Sequence, residues 1–308
     1  MFGYLFKRFP WLGPKHPLVA REKRRVNHEL PRLIRKMTDP WTTLGYAALI
    51  HGAMFMVSLI GYGRLFPGMP IILMPFLTPF GTPLAAAILH SVLYWAMLIG
   101  VCNYTTFLVG HDVETRTWSI LQTTPYPAYA LLGAKLSVVA RMWTRVLRML
   151  LLTRALALLV LPTAIYLQQQ GAESRPFGSA DFLSAAVFLA QPFVDAFLIA
   201  SLSIVSALAI RNSVWAKVGA YGLIAMVYGG LSGLGSFWLI FRTPLGALAG
   251  LLVPLSHWAP LVAAVVRPIS QAEYGQRSLA VAAIYFVLPL LMGIIGLFFA
   301  HQLARRIE

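Results

Sequence analysis

The sequence predicts an all-α membrane protein: six transmembrane helices, an N-terminal interfacial amphipathic helix and a re-entrant segment before the last span. Three observations predict it. Hydrophobic residues make up 58% of the 308 and charged residues 11%. A soluble domain carries about a quarter charged residues, so the polar surface here is too scarce to coat a globule, and mean hydropathy is +0.72. Apolar runs of the roughly 20 residues needed to cross hydrocarbon recur along the chain. The basic residues, finally, gather at the ends of those runs instead of lining one face. Ten of the 25 Lys and Arg precede Pro40 within a net charge of +15. That is the pattern of anchors beside an anionic leaflet, and it argues against a nucleic-acid partner.

The arm, residues 1–40, comes first. Its opening MFGYLFKRFPW is apolar but broken by Lys7, Arg8 and Pro10, too short for a signal-peptide core and without a cleavage site. Over about 15–39, Val26, Leu30, Leu33, Ile34 and Met37 recur at helical spacing among Arg21, Lys23, Arg24, Arg25, Arg32, Arg35 and Lys36. Such a segment lies along a membrane surface with its apolar side down, and Pro31 kinks it or starts a second helix. The plainer reading is a charge cluster that only fixes topology.

The transmembrane domain, 41–308, follows. Asp39-Pro40 opens the first span, with Asp39 as cap and Pro40 at the first helical position. The six spans run at about 41–62, 84–109, 138–165, 182–210, 214–240 and 279–303. A further apolar run, 245–266, is interrupted by Pro254, Ser256-His257 and Pro260. Proline removes a donor and breaks the ladder, and broken helices at membrane depth are tolerated where protein or water covers them. The run reads as re-entrant, with a seventh span as the competing assignment. Both termini are expected in the cytoplasm: 19 Lys and Arg then fall inside and five outside, with Arg154 deeper in a span, as the positive-inside rule requires. The outer loops are too short for a large extracellular module. The lone Cys102 lies in an apolar run and has no internal disulfide partner.

The longest polar break between spans reads HDVETRTWSILQTTPYPAYALLGAKL, His111 to Leu136. Asp112 and Glu114 are expected to start a short helix, where acids suit the positive helix end. Val113, Thr117, Ile120, Leu121 and Thr124 fall on one face of it. Thr124-Pro125 ends it and starts the next helix, which leads through Gly133 and Lys135 into the third span. A compact helix–turn–helix at the cytoplasmic surface is a place where a soluble partner could push on two spans together, with the apolar face around Leu121, and Glu114 nearby, as the contact.

The ordered set Glu114, Thr117-Trp118, Leu121, Thr124-Pro125 and Gly133-Ala134-Lys135 resembles the signature of type-2 ABC-exporter permeases. The arm's His16-Pro17-Leu18-Val19-Ala20-Arg21-Glu22 is similar to that family's amino-terminal Asn-Pro-x-x-x-Arg-Glu, departing at the first residue, His16 for Asn. Pro17, Arg21 and Glu22 carry this second match. The resemblance implies a permease domain whose 112–135 segment is the coupling element docking on a separate ABC ATPase. It also implies a second permease subunit, identical or not, enclosing the path. The chain itself has no GxxxxGK[ST] phosphate loop, so no cofactor is expected here and ATP would be bound by the partner.

Other chemistry is weaker. Asp195 sits mid-span with Gln191 one turn earlier, and a buried acid demands a partner; Arg154 is the candidate, in a structural pair or a transport role. His51 and His90, single within spans, read as helix-bundle hydrogen-bonding groups. Gly230-Leu231-Ser232-Gly233 has the GxSG form of rhomboid-like proteases, but a serine dyad needs a histidine, and only His257 and His301 lie near the last span. Gly229 and Gly233 read instead as a close-packing GxxxG pair. No His, Cys or acid cluster has metal-ligand spacing. Two further classes therefore stand beside the permease: an intramembrane protease, and a permease-like anchor subunit of a larger membrane complex without transport.

Overall fold

The computed structural model describes residues 16–29, 81–168, 179–240, 279–280 and 282–307. The first predicted span at 41–62, the re-entrant run at 245–266, His51, His257 and the arm beyond Glu29 lie outside the described residues. Those described are all-helical: α1 Pro17–Glu29, α2 Gly81–Glu114, α3 Thr117–Gln122, α4 Ala128–Gln168, α5 Ser179–Ala209, α6 Ser213–Ile240, a π-turn Ala283–Val287 and α7 Leu288–Arg306. Segments of α2, α5, α6 and the π-turn with α7 are long and apolar enough to cross a membrane: Leu93–Glu114, Phe182–Ala209, Ser213–Leu231 and Ala283–Arg306. The helix α4 covers the predicted third span.

The helices overrun the predicted spans where nothing stops them. No glycine at a turn or proline follows residue 109 until the chain reverses at Arg116, so α2 runs on to Glu114. The stretch from Ala128 is rich in Ala and Leu, good helix formers, so α4 begins ten residues before the predicted edge at 138.

The chain divides into two units: Met1–Leu30, Met97–Thr144 and Phe177–Glu308 form one, Pro31–Ala96 and Arg145–Pro176 the other. In the first unit α5 is the central helix, packed against α7, α6 and the π-turn. The buried face of α7 consists of Pro289, Gly293, Gly296, Ala300 and Ala304, all small or compact, which lets two backbones approach without a hydrophobic driving force between them. A Cβ at Gly293 would stand 2.7 Å from the Phe197 ring, and one at Gly296 would stand 3.3 Å from Ser201 Cβ. The π-turn has a sequence cause. Pro289 cannot donate to the carbonyl of Tyr285, so the ladder is broken there. Tyr285 turns inward, against Val187 of α5.

Three serine hydroxyls of α5 find backbone acceptors, as an apolar surrounding demands. Ser201 Oγ donates to Phe197 O (2.8 Å) and Ser203 Oγ to Ile199 O (2.7 Å). Ser206 Oγ crosses to α6 and donates to Ala216 O (2.7 Å). A three-residue connection joins α5 to α6, and Asn212 Oδ1 caps α6 by accepting from the amides of Val214 (3.0 Å) and Trp215 (3.1 Å).

In the described part of the arm, Leu18, Val19 and Glu22 of α1 are buried; the predicted apolar face of Val26, Leu30, Leu33, Ile34 and Met37 lies outside the described side chains. Of the predicted Gly229–Gly233 packing pair, a Cβ at Gly229 meets nothing within 4 Å among the described residues. The face of α6 that packs instead carries Ala216, Ala220, Tyr228 and Leu231.

Candidate functional site

The site is the corner between α2 and α4. The amide of Thr115 still donates to His111 O (2.9 Å), but that of Arg116 donates to Val113 O (3.2 Å). Arg116 has φ 56°, the only positive φ outside glycine among the described residues, and this left-handed residue turns the chain out of α2. The six-residue α3 follows. Its far end is tied off twice over: the amides of Thr123 and Thr124 donate to Ile120 O and Leu121 O, each at 3.2 Å. Their hydroxyls return to the same two carbonyls, at 2.7 Å and 2.5 Å. Side-chain hydroxyls thus satisfy carbonyls that a helix end leaves orphaned.

This geometry corrects the predicted corner. Asp112 and Glu114 do not start the short helix; they end α2. Val113 therefore lies on α2, and the predicted five-residue face is split by the turn at Arg116. Within α3, Trp118 and Leu121 are the buried pair. Leu121 is 6% exposed and Ile120 is 66% exposed, so the outward apolar side chain is Ile120. Thr124 caps the end of α3 and not the next helix, and α4 begins at Ala128 because Pro127 O accepts the amides of Ala130 (2.8 Å) and Leu131 (3.3 Å). Pro125 is exposed in the connection. Thr117 Oγ1 lies 2.8 Å from Thr115 Oγ1, and Gly133 is half-buried on α4.

An acid in the last turn of a helix opposes the helix dipole. Asp112 is held there by Lys135, which is 2% exposed. The Lys135 ammonium donates to Asp112 Oδ2 and to Leu108 O at 2.7 Å, and forms an ion pair with Glu22 Oε1 at 3.3 Å. Arg21, half-exposed, stands 3.9 Å from the other Asp112 oxygen. The arm motif and the loop motif, far apart in the chain, therefore meet at one buried ammonium. His16, the departure from the family pattern, sets its ring edge-on to Tyr126 with centroids 5.3 Å apart, so it fastens the start of α1 to the connection after α3. Asp112 escaped the sequence reading as a partner. The available signal was an acid at the C-terminal lip of an apolar helix, which needs a cation.

A second attachment joins the corner to the far end of the chain. Trp118 Nε1 donates to Ala304 O at 3.2 Å, and Gln122 Nε2 donates to the same oxygen. The Tyr129 and His301 rings lie beside one another, centroids 6.3 Å apart. Glu114 and Arg116 are exposed at this end, as are Lys23, Arg24, Arg211, Arg305 and Arg306.

Two polar residues that the sequence places within spans are Asp195 and Arg154. Asp195, on α5 in the first unit, is 2% exposed. Arg154, fully buried, belongs to the second unit, where its Nε donates to His90 Nε2 (3.1 Å). His90 Nδ1 is 2.9 Å from Thr153 Oγ1, which itself donates to Leu150 O. Accepting at Nε2 leaves the proton on Nδ1, so His90 is a neutral bridge between Arg154 and Thr153, a helix-bundle hydrogen-bonding group as its sequence setting implies. Ser232 lies about 28 Å along α6 from the Ser213 end, at 1.5 Å rise per residue. His301 is at that same end, beside Tyr129, since Ser213 adjoins Gly110 in the lower part of α2. Among the described residues no three His, Cys, Asp or Glu gather as metal ligands.

The described residues form an all-helical structure with helices long and apolar enough to cross a membrane and a short helix clamped at one end. Compared with protein-family models, with curated proteins and with solved structures, the chain matches none.

Proposed function

We propose that the chain is the membrane-spanning permease subunit of an ABC exporter, with six spans and both termini cytoplasmic, coupling ATP hydrolysis by separate ATPase subunits to export. The observation that carries the reading is the convergence on Lys135 of Glu22 and Asp112, with Arg21 beside them. Two short motifs read separately from the sequence belong to one clamp at the foot of a surface helix. A helix that receives force from a soluble partner must be rigidly joined to the spans it moves, and a buried ion cluster supplies such a joint.

The basic residues exposed around the corner support a cytoplasmic position for it. Ile120 and Glu114 are the natural docking contacts, an apolar anchor and an acid for a basic rim on the ATPase. Leu121 acts from beneath as packing. A second permease subunit would complete the path, and the basic face of α1 would rest on anionic lipid headgroups. The roughly 28 Å between the serine of the GxSG sequence and the His301 end of the unit weighs against a proteolytic dyad with His301.

Purification of the tagged chain from native membranes, with identification of its stoichiometric partners, tests the reading. An ATP-hydrolysing soluble subunit is expected. Firm association with other membrane subunits alone would replace transport with the anchor role.

A further inference from the structure

The corner is fastened to the two helices that flank it in sequence, and two of its side chains reach a third. Trp118, among the largest fully buried side chains, directs its indole N–H at the carbonyl of Ala304, and the Gln122 amide directs a second N–H at the same oxygen. A carbonyl has two lone pairs, and both are used. Ala304 lies in the last turn of α7, which ends at Arg306. Its carbonyl is one of the four that a helix leaves without an intrahelical partner. The indole and the amide therefore cap α7 from the side, and Tyr129 at the start of α4 adds a ring contact to His301 one turn earlier.

The rest of α7 is a single helix whose buried face is Pro289, Gly293, Gly296, Ala300 and Ala304, seated on α5 with the Phe197 ring over Gly293. At its other end stands the π-turn Ala283–Val287, beside Pro289. A π-turn with a missing hydrogen bond is where a helix bends.

We infer that Trp118 and Gln122 make α3 and the end of α7 one rigid body, so that a displacement of α3 is passed to the last span, which pivots at the π-turn. The rigid body is a statement about this chain alone. Its consequence, that the ATPase stroke drives the last span and not only α2 and α4, rests on the permease reading. Trp118 and Gln122 are positioning residues in this scheme; neither touches a substrate.

The test is electron–electron distance measurement on the full chain in lipid nanodiscs, in a Cys102→Ser background. One spin-label pair stands at positions 119 and 305, and a control pair at 212 and 305. In the parent the 119–305 distribution is expected to be a single narrow peak. Trp118→Phe/Gln122→Met keeps an aromatic ring and the side-chain length but removes both donors. It should abolish the single narrow peak while leaving 212–305 unchanged. An unaltered 119–305 distribution overturns the inference. If 212–305 also broadens, the double variant has disturbed the bundle, and Gln122→Met alone becomes the decisive case: it must broaden 119–305, and no change there overturns the inference. No ATPase is needed in any arm, so the rigid body can stand while the permease reading falls, and the reverse.

Discussion

At the scale of single residues, Lys135 carries the most. It donates to Leu108 O and Asp112 and pairs with Glu22, and removing it takes the buried cation from Glu22 and leaves Asp112 the more distant, part-exposed Arg21. Breaking a buried pair from one side costs about 3–5 kcal/mol. Lys135→Met should therefore lower the thermal midpoint of the detergent-solubilised protein sharply. The combined Glu22→Leu/Asp112→Leu/Lys135→Met variant should recover most of it, since no charge then remains buried. A single variant as stable as the parent would show that the clamp bears no load. Arg116 offers an opposite case. It pays for a left-handed backbone that only glycine adopts freely, a cost of about 1–2 kcal/mol. Arg116→Gly should leave stability unchanged or raise it, and Arg116→Ile should lower it, both read as shifts in the unfolding midpoint.

At the scale of elements, helices α2, α4, α5, α6 and α7 were legible because each contains a run of roughly span length, and apolar length is a local property of sequence. Their ends were not, because ends depend on what the chain meets. Asp112 looked like the start of a helix by its charge. It ends one, because a lysine 23 residues on neutralises it, and no local pattern reports that pairing. Trp118 and Leu121 could be placed near a surface helix, yet which of Ile120 and Leu121 faced outward depended on the turn at Arg116. The small residues of α7 were visible as a composition, but their meaning comes from α5. Gly293→Leu would drive a side chain into Phe197, 2.7 Å from the Cβ position. Overpacking of this kind costs about 1–3 kcal/mol, so that variant should fold less stably, while Gly229→Leu, which meets open space, should not. Equal losses from the two would refute the assignment of the packed face.

At the scale of the whole molecule, the charge distribution and the clamp lead to one arrangement. The basic residues of α1, the corner, the α5–α6 connection and the end of α7 would all face the cytoplasm. Accessibility tags at Glu308 and within 211–217 should then be cytoplasmic and a tag near Ser174 external, following the charge asymmetry. An external C-terminus would mean that 245–266 crosses the membrane. The most direct measurement of the central claim is photo-crosslinking in intact cells from a reactive residue placed at Ile120, with a second at Phe298, exposed on α7, as the lipid-facing control. The account predicts an adduct with a soluble ATP-hydrolysing subunit from position 120 only, lost when Glu114→Arg reverses the neighbouring charge with membrane insertion intact. Adducts from position 120 with membrane proteins alone, or none with such a subunit, would contradict it.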